Sequence, residues 1–145
     1  MSVQVEIANE VTEELVAGLN KLLPQLSTSA APLSSADVAE LVASPATIVF
    51  IARDEERIVG SLTLVVFPIP TGLRAWIEDV VVDRAARGMG VGEALTNAAI
   101  EESRRRNVRS IDLTTRPSRE AANRLYARLG FELRETNVYR FLVER

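Results

Sequence analysis

The chain has 145 residues, of which 47% are hydrophobic, so it is long enough to form a domain with a sizeable core. Its 17 Lys and Arg residues against 20 Asp and Glu residues give a formal net charge of -3, which argues against a nucleic-acid-binding protein. Because Cys and His are both absent, a disulfide framework, a thiolate nucleophile and the commonest metal ligands are excluded, and we expect no metal cofactor.

The N-terminal residues predict a cytoplasmic protein without a membrane partner. The stretch from Met1 to Glu6 has neither the charge nor the apolar run of a signal peptide. No apolar run anywhere in the chain reaches about 18 residues, which is the length that a membrane span requires. The cytoplasm is therefore the expected compartment.

The first part of the chain predicts a strand followed by two helices. Residues 3–7 alternate apolar and polar side chains, as in a strand with one buried face. Thr12 then caps a helix that we expect Pro24 to end. A second, short helix begins at Ser34 or Ser35 after a connecting segment rich in Ser, Thr, Ala and Pro.

The next segment predicts three antiparallel strands. Residues 47–52 and 58–67 read as a hairpin around a charged turn, with Gly60 as a candidate bulge. Residues 67–72 contain two prolines, which lack the N–H group of a ladder, and we expect a loop there. Residues 73–82 form the next strand.

A glycine-rich segment separates that strand from a helix predicted over residues 93–106. It reads Arg87-Gly88-Met89-Gly90-Val91-Gly92. Glycines let a backbone approach a ligand closely, and the first turn of a helix adds unpaired N–H groups and the positive end of the helix dipole. The segment therefore predicts a site for a phosphate group.

Two kinds of nucleotide-binding loop fit this segment poorly. An NTPase phosphate loop ends in Gly-Lys-Ser or Gly-Lys-Thr, whereas Gly92 is followed by Glu93 and Ala94. A dinucleotide fingerprint has the spacing Gly-x-Gly-x-x-Gly directly after a strand. Asp112 lies at the right distance for its ribose contact, but the glycine spacing differs and residues 83–86 intervene.

The last part of the chain predicts a strand, a helix and two further strands. Residues 108–114 form a strand and residues 118–129 a helix, closed by Gly130 at its C-terminal cap. Phe131 starts a strand, and residues 138–143 alternate well enough to pair back on it. The whole order predicts an α/β (α+β) fold, a single domain over residues 1–145. Its mixed, mostly antiparallel sheet has about seven strands, with helices on both faces.

Two motifs carry a resemblance to a known family. Arg87, Gly90 and Gly92 match a pyrophosphate loop of the pattern Gln/Arg-x-x-Gly-x-Gly/Ala. The second motif lies about 35 residues further on and reads Asn123-Arg124-Leu125-Tyr126-Ala127-Arg128-Leu129-Gly130-Phe131. In this order the two motifs resemble those of the GCN5-related N-acetyltransferase (GNAT) superfamily, whose order of helices and strands is also the one predicted here.

The resemblance implies acetyl-CoA as co-substrate and gives several residues a role. Tyr126 matches the family's general acid, and the alternative is a tyrosine whose ring only packs against the sheet. Val80, Val81 and Val82, at the end of the strand before the glycine-rich segment, match a segment whose backbone amides pair with the pantetheine arm. Asn123 matches a residue that contacts the cofactor in the family. The implied cofactor-binding residues are Val80, Val81, Val82, Arg87, Gly88, Met89, Gly90, Val91, Gly92, Asn123 and Tyr126.

Two adjacent carboxylates, Glu78 and Asp79, are candidates for the general base and for contacts to the acceptor. Adjacent strand residues point to opposite faces, so only one of them is expected to face the acceptor. We favour Glu78, because we expect it to be buried beside Trp76 and Ile77, where a carboxylate needs a partner. A structural ion pair is the alternative. The stretch Ile77-Glu78-Asp79-Val80 is similar to the corresponding stretch of glucosamine-phosphate acetyltransferases.

The resemblance implies an acetyl-CoA-dependent N-acetyltransferase that acts on a primary amine of a small molecule by direct attack. The alternatives are acetylation of a protein or peptide amino group, and a non-catalytic CoA-binding regulatory module. In the family the region of the second helix borders the acceptor site, but an ordinary connecting loop would look the same. Family members often dimerise, so a homodimer is possible.

Overall fold

The computed structural model describes residues 2–144, and the chain divides into two compact units. The first unit ends at Thr114 and the second begins at Thr115. The single domain that we expect from the sequence stays a prediction.

A five-stranded sheet forms the centre of the first unit. Its strands, in spatial and chain order, are β1 (Val3–Ile7), β2 (Thr47–Asp54), β3 (Arg57–Ile69), β4 (Gly72–Val82) and β5 (Ser110–Asp112). Neighbouring strands are antiparallel except for β4 and β5, which are parallel. The predicted mixed, mostly antiparallel sheet is confirmed.

Four helices accompany the strands. They are α1 (Glu13–Leu26), α2 (Ser35–Ala43) and α3 (Val91–Arg105) in the first unit, and α4 (Glu120–Arg128) in the second. The predicted caps are present: the Thr12 hydroxyl accepts a hydrogen bond from the Leu15 N–H at 3.0 Å, and Ser34 forms a capping box with Asp37.

Helix α1 continues past Pro24 to Leu26, so the prediction that this proline ends the helix is wrong. A proline removes only its own N–H group, and the last turn is still closed by the Ser27 N–H, which donates to the Leu23 carbonyl at 2.9 Å. The additional residues include Gln25, whose side chain contacts the segment after β4.

The three helices of the first unit cover both faces of its sheet, and two glycines allow close contact. A Cβ atom on Gly18 of α1 would lie 2.6 Å from Ile58 Cδ1, and one on Gly60 of β3 would lie 2.7 Å from Val91 Cγ1 of α3. Ile58 and Gly60 meet different helices because Val59, between them, is a bulge without a partner on β2. The bulge expected at Gly60 therefore lies one residue earlier.

The loop predicted over residues 67–72 is shorter in the structure, because β3 continues to Ile69. Pro68 pairs with Leu73 of β4, whereas the pairing of β3 with β2 ends at Val65. Pro68 is therefore at an edge, where a missing N–H group is tolerated.

The prediction of about seven strands is wrong, because the sheet has five. The strands expected at Phe131 and over residues 138–143 do not form, and these residues join no ladder in the described part of the chain. Their apolar side chains are exposed: Leu133 by 98%, Tyr139 by 89% and Phe141 by 84%. An alternating pattern identifies a segment that suits a strand, but it does not supply the neighbouring strand that the ladder requires.

Candidate functional site

The glycine-rich segment forms a turn whose shape requires glycine. Residues Arg84–Ala86 make a single 3-10 turn after β4, and Gly88 and Gly90 follow with φ angles of 83° and 79°. Backbone in this left-handed region is strained for other residues. A Cβ atom on either glycine would meet no atom of the described residues within 4 Å. The turn is therefore open on its outer side.

Helix α3 begins directly from this turn with an uncapped end. Gly90 is the N-cap residue, its carbonyl accepts from the Ala94 N–H at 3.0 Å, and no side chain of the described residues caps it. The first N–H groups of a helix have no partner within the helix, and the helix dipole places partial positive charge there. Together with the exposed guanidinium of Arg87, this end of the helix suits an anionic ligand.

A bulge in β4 lies seven residues before Arg87. Ser61 pairs with Val81 and Thr63 with Glu78, so that two residues, Asp79 and Val80, lie opposite Leu62 alone. Asp79 has a φ angle of 49°, which Asp tolerates better than most residues. The simple alternation by which we placed Glu78 and Asp79 on opposite faces therefore does not hold, since both side chains are exposed.

Glu78 is not buried, so the premise by which we favoured it as the base is wrong. The structure places it on the surface of β4, where a carboxylate needs no partner to offset the cost of burial. Its candidacy now rests on its position beside the bulge. Among residues 2–144, no group of three or more Asp and Glu side chains is arranged to hold a metal ion.

The second half of β4 has a free edge. Strand β5 pairs with β4 only from Arg74 to Trp76, and within the described residues no strand pairs with Ile77–Val82 on that side. Backbone N–H and C=O groups that no strand pairs are available to an extended ligand. This free edge includes Val80, Val81 and Val82, and it ends five residues before Arg87.

The second unit contains the other two candidate residues. Tyr126 on α4 is half-buried, and its ring contacts Phe131 edge to face at 5.6 Å between centroids. Burial raises the pKa of its phenol, against a smaller opposing effect of the Arg119 charge. Asn123 donates from its side-chain amide to the carbonyls of Arg116 and Arg119, at 3.0 and 2.8 Å.

These contacts give Asn123 a structural function that the sequence did not indicate, since it holds the turn before α4. Gly130, with a φ angle of 101°, follows the helix as predicted for a C-terminal cap. The structure thus joins the bulge, the free edge and the glycine turn into one continuous stretch of the first unit, and holds Asn123 and Tyr126 together on α4.

Comparison with known proteins identifies the family. Residues 16–131, more than half of the chain, match the model of the acetyltransferase (GNAT) family. The chain belongs to the GNAT family. The predicted resemblance is confirmed, and GNAT membership makes this chain an acetyl-CoA-dependent N-acetyltransferase.

Two relatives of this chain are named as N-acetyltransferases. A glucosamine 6-phosphate N-acetyltransferase from Trypanosoma brucei brucei is 39% identical over 116 residues, which cover 74% of this chain and 77% of the relative. N-alpha-acetyltransferase 30 from Schizosaccharomyces pombe is 32% identical over 93 residues, which cover 63% of this chain and 61% of the relative.

Among solved structures, a putative acetyltransferase from Agrobacterium tumefaciens superimposes with a TM-score of 0.83 at 26% identity, covering 98% of this chain and all of that one. The GNAT fold is therefore shared over nearly the whole length. None of the helices within residues 2–144 is long and apolar enough to cross a membrane.

Proposed function

We propose that this chain transfers the acetyl group of acetyl-CoA to a primary amine of a small molecule, by direct attack within a ternary complex. The observation that carries the proposal is the open turn with positive φ angles at Gly88 and Gly90, followed by the uncapped start of α3. A pyrophosphate fits such a turn, because the backbone offers several N–H groups and no side chain fills the space.

The free edge of β4 supports the placement of the rest of the co-substrate. Backbone groups of Val80, Val81 and Val82 would pair with the amides of the pantetheine arm as a strand would. The bulge at Asp79 and Val80 turns backbone N–H groups out of the ladder with β3. An N–H group freed in this way suits the polarisation of a thioester carbonyl, where negative charge develops during attack.

The chemical step requires two proton transfers. The amine nitrogen attacks the thioester carbonyl carbon, so that a C–N bond forms and the C–S bond breaks. Glu78, or a water held by it, accepts the proton that the nitrogen loses, with Asp79 as the neighbouring alternative. Tyr126 donates its phenolic proton to the departing thiolate, because a phenol, with an ordinary pKa of about 10, still carries this proton at neutral pH.

A small-molecule acceptor is supported by the relative named for glucosamine 6-phosphate, and a protein N-terminus by the relative named as an N-alpha-acetyltransferase. The first covers more of this chain at higher identity, and we therefore favour the small molecule. A panel of amino sugars, diamines, amino acids and short peptides, assayed for CoA release with acetyl-CoA, tests this choice. Turnover on peptides alone would overturn the small-molecule assignment.

We expect Glu78→Gln to lower turnover most at low pH. The fraction of unprotonated amine is smallest there, so a base that removes the proton contributes most. Steady-state rates over a range of pH measure this, with Asp79→Asn as the matched control on the neighbouring residue. If Glu78→Gln keeps both the height and the shape of the wild-type profile, Glu78 is not the base.

We also propose that the chain forms a homodimer through residues 131–144. This tail exposes the large apolar side chains Leu133, Val138, Tyr139, Phe141, Leu142 and Val143. Within residues 2–144, strand β5, the last of the sheet, pairs with β4 alone, and a free edge accepts a strand from another chain. Each aromatic ring buries about 150–250 Å², so the exposed rings of Tyr139 and Phe141 in two tails, four in all, bury roughly 600–1,000 Å². With the aliphatic side chains this approaches the roughly 1,200–2,000 Å² of a stable interface.

Light scattering coupled to size exclusion tests the dimer. We expect a dimeric mass for the wild type and a monomeric mass for Phe141→Asp, because a charge on the tail opposes burial. Val11→Asp places the same charge on an apolar residue that is 40% exposed outside the tail, and should leave the dimer intact. A monomeric wild type would rule out the homodimer.

A further inference from the structure

Asp83 lies between β4 and the glycine-rich turn, and it is buried although it is charged. Only 7% of the residue is exposed, and its backbone N–H donates to the Val59 carbonyl of β3 at 2.8 Å. One carboxylate oxygen accepts from the Ala85 N–H at 3.1 Å. A buried carboxylate is costly unless it is hydrogen-bonded, so the retention of a charged group at this position calls for further partners.

Helix α1 supplies those partners from its last turn. The side-chain carbonyl of Gln25 accepts from the Arg84 N–H at 2.9 Å, and the same side chain helps to lower the pKa of the neighbouring Asp83 carboxyl. Lys21 places its ammonium 3.7 Å from the other carboxylate oxygen, but that lysine is mostly exposed, and such an ion pair contributes little. Gln25 is therefore the main link between α1 and the segment after β4.

The hydrogen bonds continue from this link into the glycine-rich turn. The Ala86 N–H donates to the Asp83 carbonyl at 2.8 Å, and the Met89 N–H donates to the Ala86 carbonyl at 3.4 Å. Ala86 itself is buried. The chain between β4 and Gly90 is thus fixed at its start by α1, whereas the outer side of Gly88 and Gly90 stays open.

We propose that Asp83 and Gln25 are positioning residues, which hold the turn at residues 87–92 in the shape that binds the pyrophosphate of CoA. The proposal rests on the assignment of that turn to the pyrophosphate. The Ala85 N–H, then Gln25 and the charges of Lys21 and Arg57, hold the pKa of the Asp83 carboxyl below its ordinary value of 3.8, against the effect of burial. The carboxylate therefore stays ionised at neutral pH, and the link is intact under assay conditions.

Two acetyl donors separate positioning from a general effect on the fold. Acetyl-CoA carries the pyrophosphate, and S-acetylpantetheine carries the same thioester without it. Gln25→Met removes both hydrogen-bonding ends of the side chain and keeps its length. We expect it to lower kcat/KM for acetyl-CoA by about tenfold, the size of a lost hydrogen bond network, and to lower kcat/KM for S-acetylpantetheine far less.

Asn20 provides the matched control on the same helix. Its side chain also hydrogen-bonds loop backbone, but to Leu33 rather than to residues 83–90: it accepts from the Leu33 N–H at 2.8 Å and donates to the Leu33 carbonyl at 2.9 Å. Asn20→Leu should therefore leave the ratio of the two donors at its wild-type value. Asp83→Asn keeps an oxygen for the Ala85 N–H and should change the ratio in the direction of Gln25→Met.

The two acetyl donors distinguish failure of this proposal from failure of the pyrophosphate assignment. If Gln25→Met lowers kcat/KM for both donors in equal proportion, or for neither, Gln25 is an ordinary structural residue and the proposal is wrong. If the wild type does not prefer acetyl-CoA over S-acetylpantetheine at all, the assignment of the turn to the pyrophosphate fails first.

Discussion

Replacing Tyr126 by Phe lowers kcat by roughly 10²-fold and changes acetyl-CoA binding little. The substitution deletes one hydroxyl and keeps the ring, so the edge-to-face contact with Phe131 is retained. If the phenol protonates the leaving thiolate, the lost interaction exists mainly in the transition state, and kcat carries the loss. A phenol has an ordinary pKa of about 10, and burial raises that of Tyr126, so this residue carries its proton at neutral pH, as a proton donor requires.

Two other roles for Tyr126 predict different results. If the ring only packs, Phe should preserve both activity and thermal stability. If the hydroxyl only hydrogen-bonds the bound co-substrate, binding should weaken by about 1 kcal/mol while kcat falls little. The second tyrosine, Tyr139, is 89% exposed, so Tyr139→Phe is the control for loss of a phenol elsewhere. Full activity in a normally folded Tyr126→Phe protein would rule out the general acid.

Replacing Gly90 by Val weakens CoA binding by an order of magnitude or more, at about 1.4 kcal/mol per tenfold. The φ angle of 79° is strained for a β-branched residue, so the turn must change shape or store the strain. A Cβ atom at this position would meet no atom of the described residues within 4 Å, so we do not attribute the loss to a clash of the Cβ atom within the protein. The loss arises because the valine side chain takes up space that the pyrophosphate would occupy, and because a change in the shape of the turn redirects the N–H groups that would bind it.

Gly130 provides the control for backbone strain. It also has a positive φ angle, 101°, and open space around a built Cβ atom, but it lies outside the glycine-rich turn. Gly130→Val should therefore reduce stability without the loss of CoA affinity. Calorimetry on the two folded variants measures the difference, and unchanged CoA affinity in Gly90→Val would remove the pyrophosphate assignment.

The sequence predicted most of the sheet and helix caps because local signals determine them. Alternation identified β1, apolar runs bounded by turn and proline residues identified β2 to β4, and hydroxyl side chains marked the starts of α1 and α2 at Thr12 and Ser34. The prediction that α1 ends at Pro24 was wrong because a proline in the last turn of a helix costs one hydrogen bond, which tertiary contacts offset. The strands predicted within residues 131–144 were wrong because a strand depends on a neighbouring strand, which no local pattern reveals.

In the candidate site, too, the features set by local sequence were predictable and those set by distant residues were not. The turn at Gly88 and Gly90 was predictable from the sequence, because glycine readily adopts the positive φ angles that such a turn requires. The bulge at Asp79 and Val80 and the exposure of Glu78 were not predictable, since a single extra residue in one strand changes the face to which the neighbouring side chains point. The link from Gln25 to Arg84 joins residues 59 positions apart, and no spacing rule predicts such a contact.

The balance of products tests the central assignment most directly. The protein is incubated with acetyl-CoA and each amine of the panel, and both the CoA thiol and the acetylated amine are quantified. Because the chain contains no Cys, a thiol reagent reports CoA without a background from the protein. We predict an amine that yields one acetamide for every thiol released. Thiol release that is independent of every amine, or the absence of any acetamide product, would contradict N-acetyl transfer.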